Sequence, residues 1–452
     1  MKEESRHHVL DRLEGQEEKA LPPNSYLLPT FRKETGFTLV ELLITMVVFV
    51  FVMAAGSQIF SGLLTQFKQQ SKIAETNIEG VVGLEILRQD IENAGYALPW
   101  NVTGINDNDD DGNFWEHLAG YNEASVAGFA TTCNDASRNI DGDTYVGEAP
   151  RGICQINNAG FNGSDYLVIK SMNVANNGTD RKWTYLHVGN VKTTWTPDCE
   201  NVNKIPDPDF ITSCQTSNDV RVIMVSPGFD QTDSRSLVVS NGAFFTGYNN
   251  TASFAPGDNT DTYVLYGVDP VTDLRMPFNR ADYYIRSSNV PQWCARNTGV
   301  LVKAVVSHDD GDFDLPPEDN TIDELPLIDC VADMQLVFGV DTDGTPDGEV
   351  NCYVDDLADV LVTVNAENIR TRVKEIRIYL LAHEGQIDRS FNFQAPINPS
   401  SIRVGEASIN VPGGNCTGAT VLGRDFNLNG ITDWQNYRWK VYTMVVLPMN
   451  LR

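Results

Sequence analysis

Three groups of residues in this 452-residue chain have the type and spacing to do chemistry. The first is one carboxylate, Glu41, inside the run FTLVELLITMVVFVFVMAA at 37–55. Sixteen of its nineteen residues are apolar, the exceptions being Thr38, Glu41 and Thr45. A carboxylate there costs ~2.5–3.5 kcal/mol on insertion scales, so it marks a function and needs a partner. The second group is acidic loops. DFNLNGITDWQN sets Asp425, Asn427, Asn429, Gly430, Asp433 and Asn436 at positions one, three, five, six, nine and twelve. Asp107, Asp109, Asp111 and Gly112 begin the same pattern, but the twelfth position is Leu118; Asp341, Asp343, Asp347 and Glu349 form a third set. Oxygen ligands on alternate loop positions, with Gly at the sharp turn, suit a hard cation. Calcium is therefore the expected cofactor, first at 425–436, against the plainer reading of Asp/Asn/Gly turns. The third group is eight cysteines: Cys133, Cys154, Cys199, Cys214, Cys294, Cys330, Cys352 and Cys416. Their even number and the lack of a CxxC pair point to disulfides formed in an oxidising compartment. Pairing of neighbours (133–154, 199–214, 294–330, 352–416) is the simplest of many connectivities.

Catalytic constellations are missing from the sequence. No GxSxG, HExxH or Walker A pattern occurs, and acidic pairs such as Asp309 and Asp310 read as solvated loop. The four histidines after residue 36, His117, His187, His308 and His383, sit in no metal or nucleophile motif and read as surface or core residues. An enzyme is not expected. The net charge is −28. Residues 1–36 hold six Lys/Arg and seven Asp/Glu, hence −1, which leaves −27 from Phe37 onward. Such a surface repels nucleic acid and anionic lipid and attracts cations.

The elements that must position these groups follow from periodicity. Nineteen helical residues rise about 28 Å, enough to cross a hydrocarbon core. No second run like it occurs, and Arg32 and Lys33 place the preceding end in the cytoplasm. The polar segment 1–35, with Pro22, Pro23 and Pro29, reads as unstructured. Beyond the membrane run an apolar stripe continues at helical spacing through Phe60, Leu63, Leu64, Phe67, Ala74, Ile78, Val81, Leu84, Leu87 and Ile91. Its second half is expected to pack on a head domain. Gly95 reads as the C-cap and Pro99 forbids continuation. Gly56, Gly62, Gly80 and Gly83 are places where the helix could bend. From about 100 the chain is β-rich, with strands expected at 166–172, 183–188, 220–226, 236–240, 262–268, 282–287, 300–307, 375–383 and 439–447. Segments 242–260 and 308–325 read as surface loops, and 356–372 as a short helix. The fold class is α+β: a long N-terminal transmembrane and amphipathic helix followed by a β-rich globular head. The expected divisions are 1–36, 37–56 (membrane helix), 57–96 (amphipathic helix), 97–330 (head, with a large insert) and 331–452 (C-terminal part of the head).

Gly36, Phe37 and Glu41 at the fifth position of the apolar run together resemble the type IV prepilin signature. A plain signal anchor with an incidental Glu is the alternative. The resemblance implies cleavage after Gly36 by prepilin peptidase, N-methylation of Phe37, and a role for Glu41 in assembly. A 36-residue leader is long for that family; either the true start lies further on or the leader is of the long kind. VVGLEILRQDIENAGY (81–96), with Arg88, Asp90, Ala94, Gly95 and Tyr96, is similar to the first helix of PilW-type minor pilins. MQLVFGVDTDGTPDGEV (334–350) and YRWKVYTMVVLPMNLR (437–452) look like that family's strand-and-loop and closing strand. The resemblance implies a minor pilin that works at or near a pilus tip with other major and minor pilins. Its precursor would sit in the inner membrane with a periplasmic head, becoming extracellular in the pilus. A minor pseudopilin of a type II secretion system shares the stem, and an adhesin or ligand-binding head mounted on it is a second class.

Overall fold

The computed structural model describes residues 36–103, 118, 120–125, 132–135, 150–175, 177–192, 220–227, 235–313, 324–361, 364–397, 399–409 and 422–451, the side chains of 76, 77 and 79 excepted. The chain forms two compact units, Met1–Leu64 and Thr65–Arg452.

Helix α1 runs from Leu39 to Glu92 without interruption, so none of its glycines breaks it. In the first unit its apolar side chains face outward: Leu39, Val40, Leu42, Leu43, Ile44 and Val47 through Met53 are all exposed. Among the described residues α1 is the one helix long and apolar enough to cross a membrane. Exposure of a wholly apolar surface is stable only in lipid or against other apolar helices.

In the second unit the strands are, in chain order, β1 (Asn101–Thr103), β2 (Ile153–Ile156), β3 (Tyr166–Ser171), β4 (Trp183–His187), β5 (Val191–Lys192), β6 (Arg221–Ser226), β7 (Ser236–Val238), β8 (Thr246–Gly247) and β9 (Thr262–Asp269). There follow β10 (Asn279–Arg286), β11 (Gly299–Val305), β12 (Glu324–Val340), β13 (Cys352–Val354), helix α2 (Ala366–Arg372), β14 (Val373–Glu384), β15 (Ser401–Glu406), β16 (Leu422–Asn427) and β17 (Arg438–Val446). The main sheet has the order β17-β14-β12-β11-β10-β3-β2, with β13 also on β12, and every pairing in it is antiparallel. A second sheet runs β1-β7-β6-β9-β4-β5, with β8 on β6; β1 and β7 are parallel. β15 and β16 form a separate ribbon.

The main sheet shows the period of two that a strand imposes. Met334, Leu336, Phe338 and Val340 of β12 and Ile376, Ile378 and Leu380 of β14 face one core, which also holds Leu87, Ile91 and Ala94 from the end of the stem. Val337, Tyr379 and Leu381 point the other way, into a core with Ile402, Val404, Trp434, Tyr437 and Trp439. Helix and ribbon thus cover opposite faces of one sheet.

The buried face of α1 is Gly80, Gly83, Leu87, Asp90 and Ile91, with Leu84 partly buried. Ile78 and Val81, expected on the packed stripe, are 67% and 64% exposed. The helix meets the sheet through its glycines instead. A Cβ on Gly83 would lie 2.1 Å from the Leu327 carbonyl oxygen of β12, whereas one on Gly80 would meet only the Tyr442 hydroxyl at 3.9 Å. The helix ends as the sequence implies: Gly95 has φ +77°, and its N–H donates to the Lys170 carbonyl of β3 at 2.9 Å. The C-terminal residues close over that end, with the Met449 N–H donating to the Glu92 carbonyl at 2.9 Å.

Several expectations need correction. The division at 330/331 falls inside β12, a 17-residue strand, so the sheet is not split there. Of segment 308–325, Glu324 and Leu325 open that strand, and 314–323 lie outside the described residues. Within 242–260, Phe244 and Phe254 are buried, so it is not merely surface loop. The helix expected at 356–372 shrinks to the seven residues of α2 after a separate turn at Leu357–Asp359. Strands β1, β2, β5, β8, β13, β15 and β16 were not expected; each is short or lacks a β-branched run.

The non-helix side of β3 and β10 carries charge. Lys170 and Arg280 are fully buried and bonded to Glu123, at 2.7 and 3.1 Å. Lys170 also meets Asp135 at 2.5 Å, Arg280 meets Asp282 at 2.8 Å, and Arg151 meets Asp135 at 2.7 Å. Three cations are matched by three carboxylates, the arrangement that permits charge in a low-dielectric interior. The Cys133–Cys154 bridge staples the segment carrying Asn134 and Asp135 to β2 beside it. A second bridge joins Cys294 to Cys330. Cys352 is also disulfide-bonded, and its partner, like Cys199, Cys214 and Cys416, lies outside the described residues.

Two results follow. Gly83→Ala should destabilise the chain by about 1–3 kcal/mol through overpacking, while Gly80→Ala should stabilise it by up to ~1 kcal/mol through helix propensity; thermal melts in nonionic detergent check both. His308 and His383 are buried. Desolvation pushes His308 down from 6.5 to about 4, Asp269 raising it and Arg275 lowering it further. Desolvation pushes His383 down to about 3 against the Gly385 backbone, which raises it. Their neutral forms accept N–H bonds, from Arg275 at 3.3 Å and Ala295 at 2.9 Å. Folded values below the unfolded value mean that the unfolded chain takes up protons first. The stability they contribute is complete above pH 6.5 and is lost as pH falls toward about 4 and about 3. Melts should show a slope approaching ~1.4 kcal/mol per pH unit per histidine, and His383→Gln should remove one proton's share.

Candidate functional site

The backbone at Gly36, Phe37 and Thr38 is not helical, and all three residues are exposed. A Cβ on Gly36 would meet nothing within 4 Å. The Gly36–Phe37 bond therefore lies exposed, just ahead of α1.

Thr38 is the residue the sequence reading passed over. Its hydroxyl accepts the Glu41 N–H at 3.3 Å, while its own N–H and hydroxyl both donate to Glu41 Oε2 at 3.0 Å. This is a reciprocal capping box, which satisfies two backbone donors that a helix start otherwise leaves unpaired. The spacing T-x-x-E at 38–41 was the available signal. Glu41 therefore has a partner inside its own chain, and the box fixes where the helix begins relative to Phe37.

At the other end of the stem, Asp90 is the buried anchor. The Lys303 ammonium of β11 lies 2.5 Å from Asp90 Oδ2, and the Tyr283 hydroxyl of β10 donates to the same oxygen. Burial and the adjacent carboxylate hold the Tyr283 phenol well above its usual range, so it stays a donor. Further up the stem, Lys72 lies over the Trp293 ring at 3.8 Å.

The acidic loops resolve differently. Asp425 stands on β16 with its carboxylate 3.1 Å from Arg403 of β15. Asn427 caps the turn Leu428–Gly430, accepting from the Asn429 N–H and the Ser400 hydroxyl, both at 3.0 Å. Asp433 has φ +56°, and Asn436 donates to the Phe391 carbonyl at 2.9 Å. The side chains of Asp425, Asn427 and Asn436 are thus committed to protein partners. In contrast, carboxylate oxygens of Asp341, Asp343 and Asp347 all lie within 4.8 Å of one another. Asp341 is buried and accepts the Asp343 and Gly348 N–H groups, at 3.2 and 2.7 Å. The loop starting at Asp107 lies outside the described residues, as does His117.

A cation at 425–436 has to compete with Arg403. A calcium-dependent rise in melting temperature is therefore expected to grow in Arg403→Gln and to vanish in Asp425→Ala with Asp433→Ala. Equal responses in all three proteins would show that any bound calcium sits elsewhere.

Residues 31–57 match the family described as the prokaryotic N-terminal methylation motif, so the N-terminal segment is type IV prepilin-like. The match spans Gly36, Phe37 and Glu41 and ends at the membrane part of α1. Among solved structures, a type IV-like pilin from Thermus thermophilus is similar at 14% identity, covering 39% of this chain and 70% of that one, with a TM-score of 0.20. No curated protein matches the chain.

Proposed function

We propose that the chain is cut after Gly36 by prepilin peptidase, methylated at Phe37, and assembled as a minor subunit at or near the tip of a type IV pilus, where it promotes polymerisation. The observation that supports this is the juxtaposition at the start of α1. An exposed Gly–Phe bond stands immediately before a capped helix whose next residues are apolar on every side. Cleavage there leaves a new amine at Phe37 about one helical turn from the Glu41 carboxylate. Before assembly the precursor holds its head outside the inner membrane, and other pilins supply the apolar surfaces that take over from lipid. PilW-type character rests on the resemblance of 81–96, 334–350 and 437–452. The bulk of the head favours a filament end over a repeating shaft, where neighbouring heads crowd one another.

Within the apolar stem Glu41 acts more as a register device than as a source of stability, because desolvation offsets much of the gain from any ion pair. In this reading it leaves the Thr38 cap to meet the amine of an adjoining subunit.

Gly36→Val should leave the precursor uncut, and intact-mass spectrometry should find residues 30–36 still attached. Glu41→Val should insert and be cleaved normally but be missing from purified filaments. Full piliation and normal incorporation of Glu41→Val in a strain without the wild-type copy would overturn the mechanism. Normal piliation with a secretion defect would assign the protein to a type II secretion system instead.

A further inference from the structure

In a chain with 61 acidic and 33 basic side chains, an arginine without a carboxylate partner needs an explanation. Two arginines that form no ion pair among the described residues meet at Trp100. The Cζ of Arg235 lies 4.6 Å from the centroid of the indole ring, and the Cζ of Arg370 lies 3.8 Å from it. Arg235 directly precedes β7, and its carbonyl accepts the Trp100 N–H at 2.9 Å. Arg370 comes from α2. Among the described residues neither guanidinium forms an ion pair, and Arg235 Nη1 is buried with no hydrogen-bond partner.

The arrangement is unfavourable as it stands. Burial lowers the pKa of Arg370; Glu367 raises it, and the nearby charge of Arg235 lowers it further. The backbone of Arg235 has φ +54°, a conformation ordinarily left to Gly or Asn. Tyr96 and Tyr266, packed edge to face at 6.3 Å, stand beside it as half-buried phenols. A partly buried position chosen for stability alone would not hold two like charges on one ring in a strained backbone. Two planar forks of donors beside an aromatic face have the chemistry to hold an oxyanion, which accepts paired N–H bonds and cancels the repulsion.

We infer that Trp100, Arg235 and Arg370 form a binding site for a small oxyanion, a phosphate or carboxylate group. This site is independent of processing at Gly36 and of assembly through Glu41. It gives the head a ligand-binding capacity that the stem does not require.

The test uses the mature full-length chain in nonionic detergent. Tryptophan fluorescence and melting temperature are followed while inorganic phosphate or glucuronate is added, with sodium chloride at matched ionic strength as control. Saturable binding of phosphate alone identifies a phosphate ligand, and of glucuronate alone a carboxylated sugar; binding of both leaves the shared oxyanion chemistry as the determinant. Arg235→Gln and Arg370→Gln should each weaken binding by about tenfold or more. Because it removes a repulsion, Arg370→Gln should also keep or raise the melting temperature without ligand. Binding of neither anion beyond the chloride control overturns the proposal. So does unchanged binding in both variants, or a fall in the melting temperature of Arg370→Gln with anion binding intact, which would make the stack purely structural.

Discussion

The head depends on one buried ion pair, Asp90 with Lys303, for holding its stem. Leu87 and Ile91 bury apolar area against the main sheet, but apolar contact is non-directional and tolerates a rotated or shifted helix. The pair does not. Asp90 is reached at the same oxygen by an ammonium from β11 and a phenol from β10, so its position is fixed against two strands at once. Breaking it from either side would leave an uncompensated buried charge, at a cost of about 3–5 kcal/mol. Gly83 makes the approach close enough for this, since a side chain there would collide with the Leu327 carbonyl. The same logic recurs on the far side of β3 and β10, where the Glu123, Asp135 and Asp282 carboxylates answer Lys170, Arg280 and Arg151. Matched charge thus lies on both faces of the main sheet.

Legibility in the sequence followed the strength of the local signal. The apolar run at 37–55, the strand runs of β6, β9, β11 and β14, and the Gly95 cap declare themselves by composition and period alone. What was hidden depends on tertiary partners. Asp90 could be read from its neighbours only as part of a resemblance; that it is buried against Lys303, 213 residues away, has no local signature. The charges on β3 and β10 have no local signature of burial either: Lys170 lies in a run read as strand, and nothing in that run shows that it and Arg280 meet Glu123. Ile78 and Val81 fit the helical stripe yet stay exposed, because Gly83 brings the backbone itself to the sheet.

At the candidate site the sequence placed Gly36, Phe37 and Glu41 together but treated Thr38 as a mere exception to apolarity. It becomes the reciprocal partner of Glu41 once the first turn is built. The loop at 425–436 shows the opposite failure. Its spacing suits a cation, but spacing does not reveal that Arg403 of the facing strand already stands at Asp425. The Asp341 set, ranked lower on pattern, is the one whose oxygens converge.

The contact of residues 449–451 with the end of α1 ties together two parts of the chain that are far apart in sequence. The Glu92 carbonyl accepts the Met449 N–H at 2.9 Å, the Asn450 side chain reaches the same carbonyl across 358 positions, and a Cβ at Gly95 would strike Leu451 at 2.9 Å. Strand β17, which flanks β14, directly precedes these residues. A chain cut before β17 would therefore leave the Leu87–Ile91 face partly uncovered and open to chaperones or proteolysis. Closing the edge of the main sheet and sealing the end of the stem become one event, so the head turns rigid only with both in place.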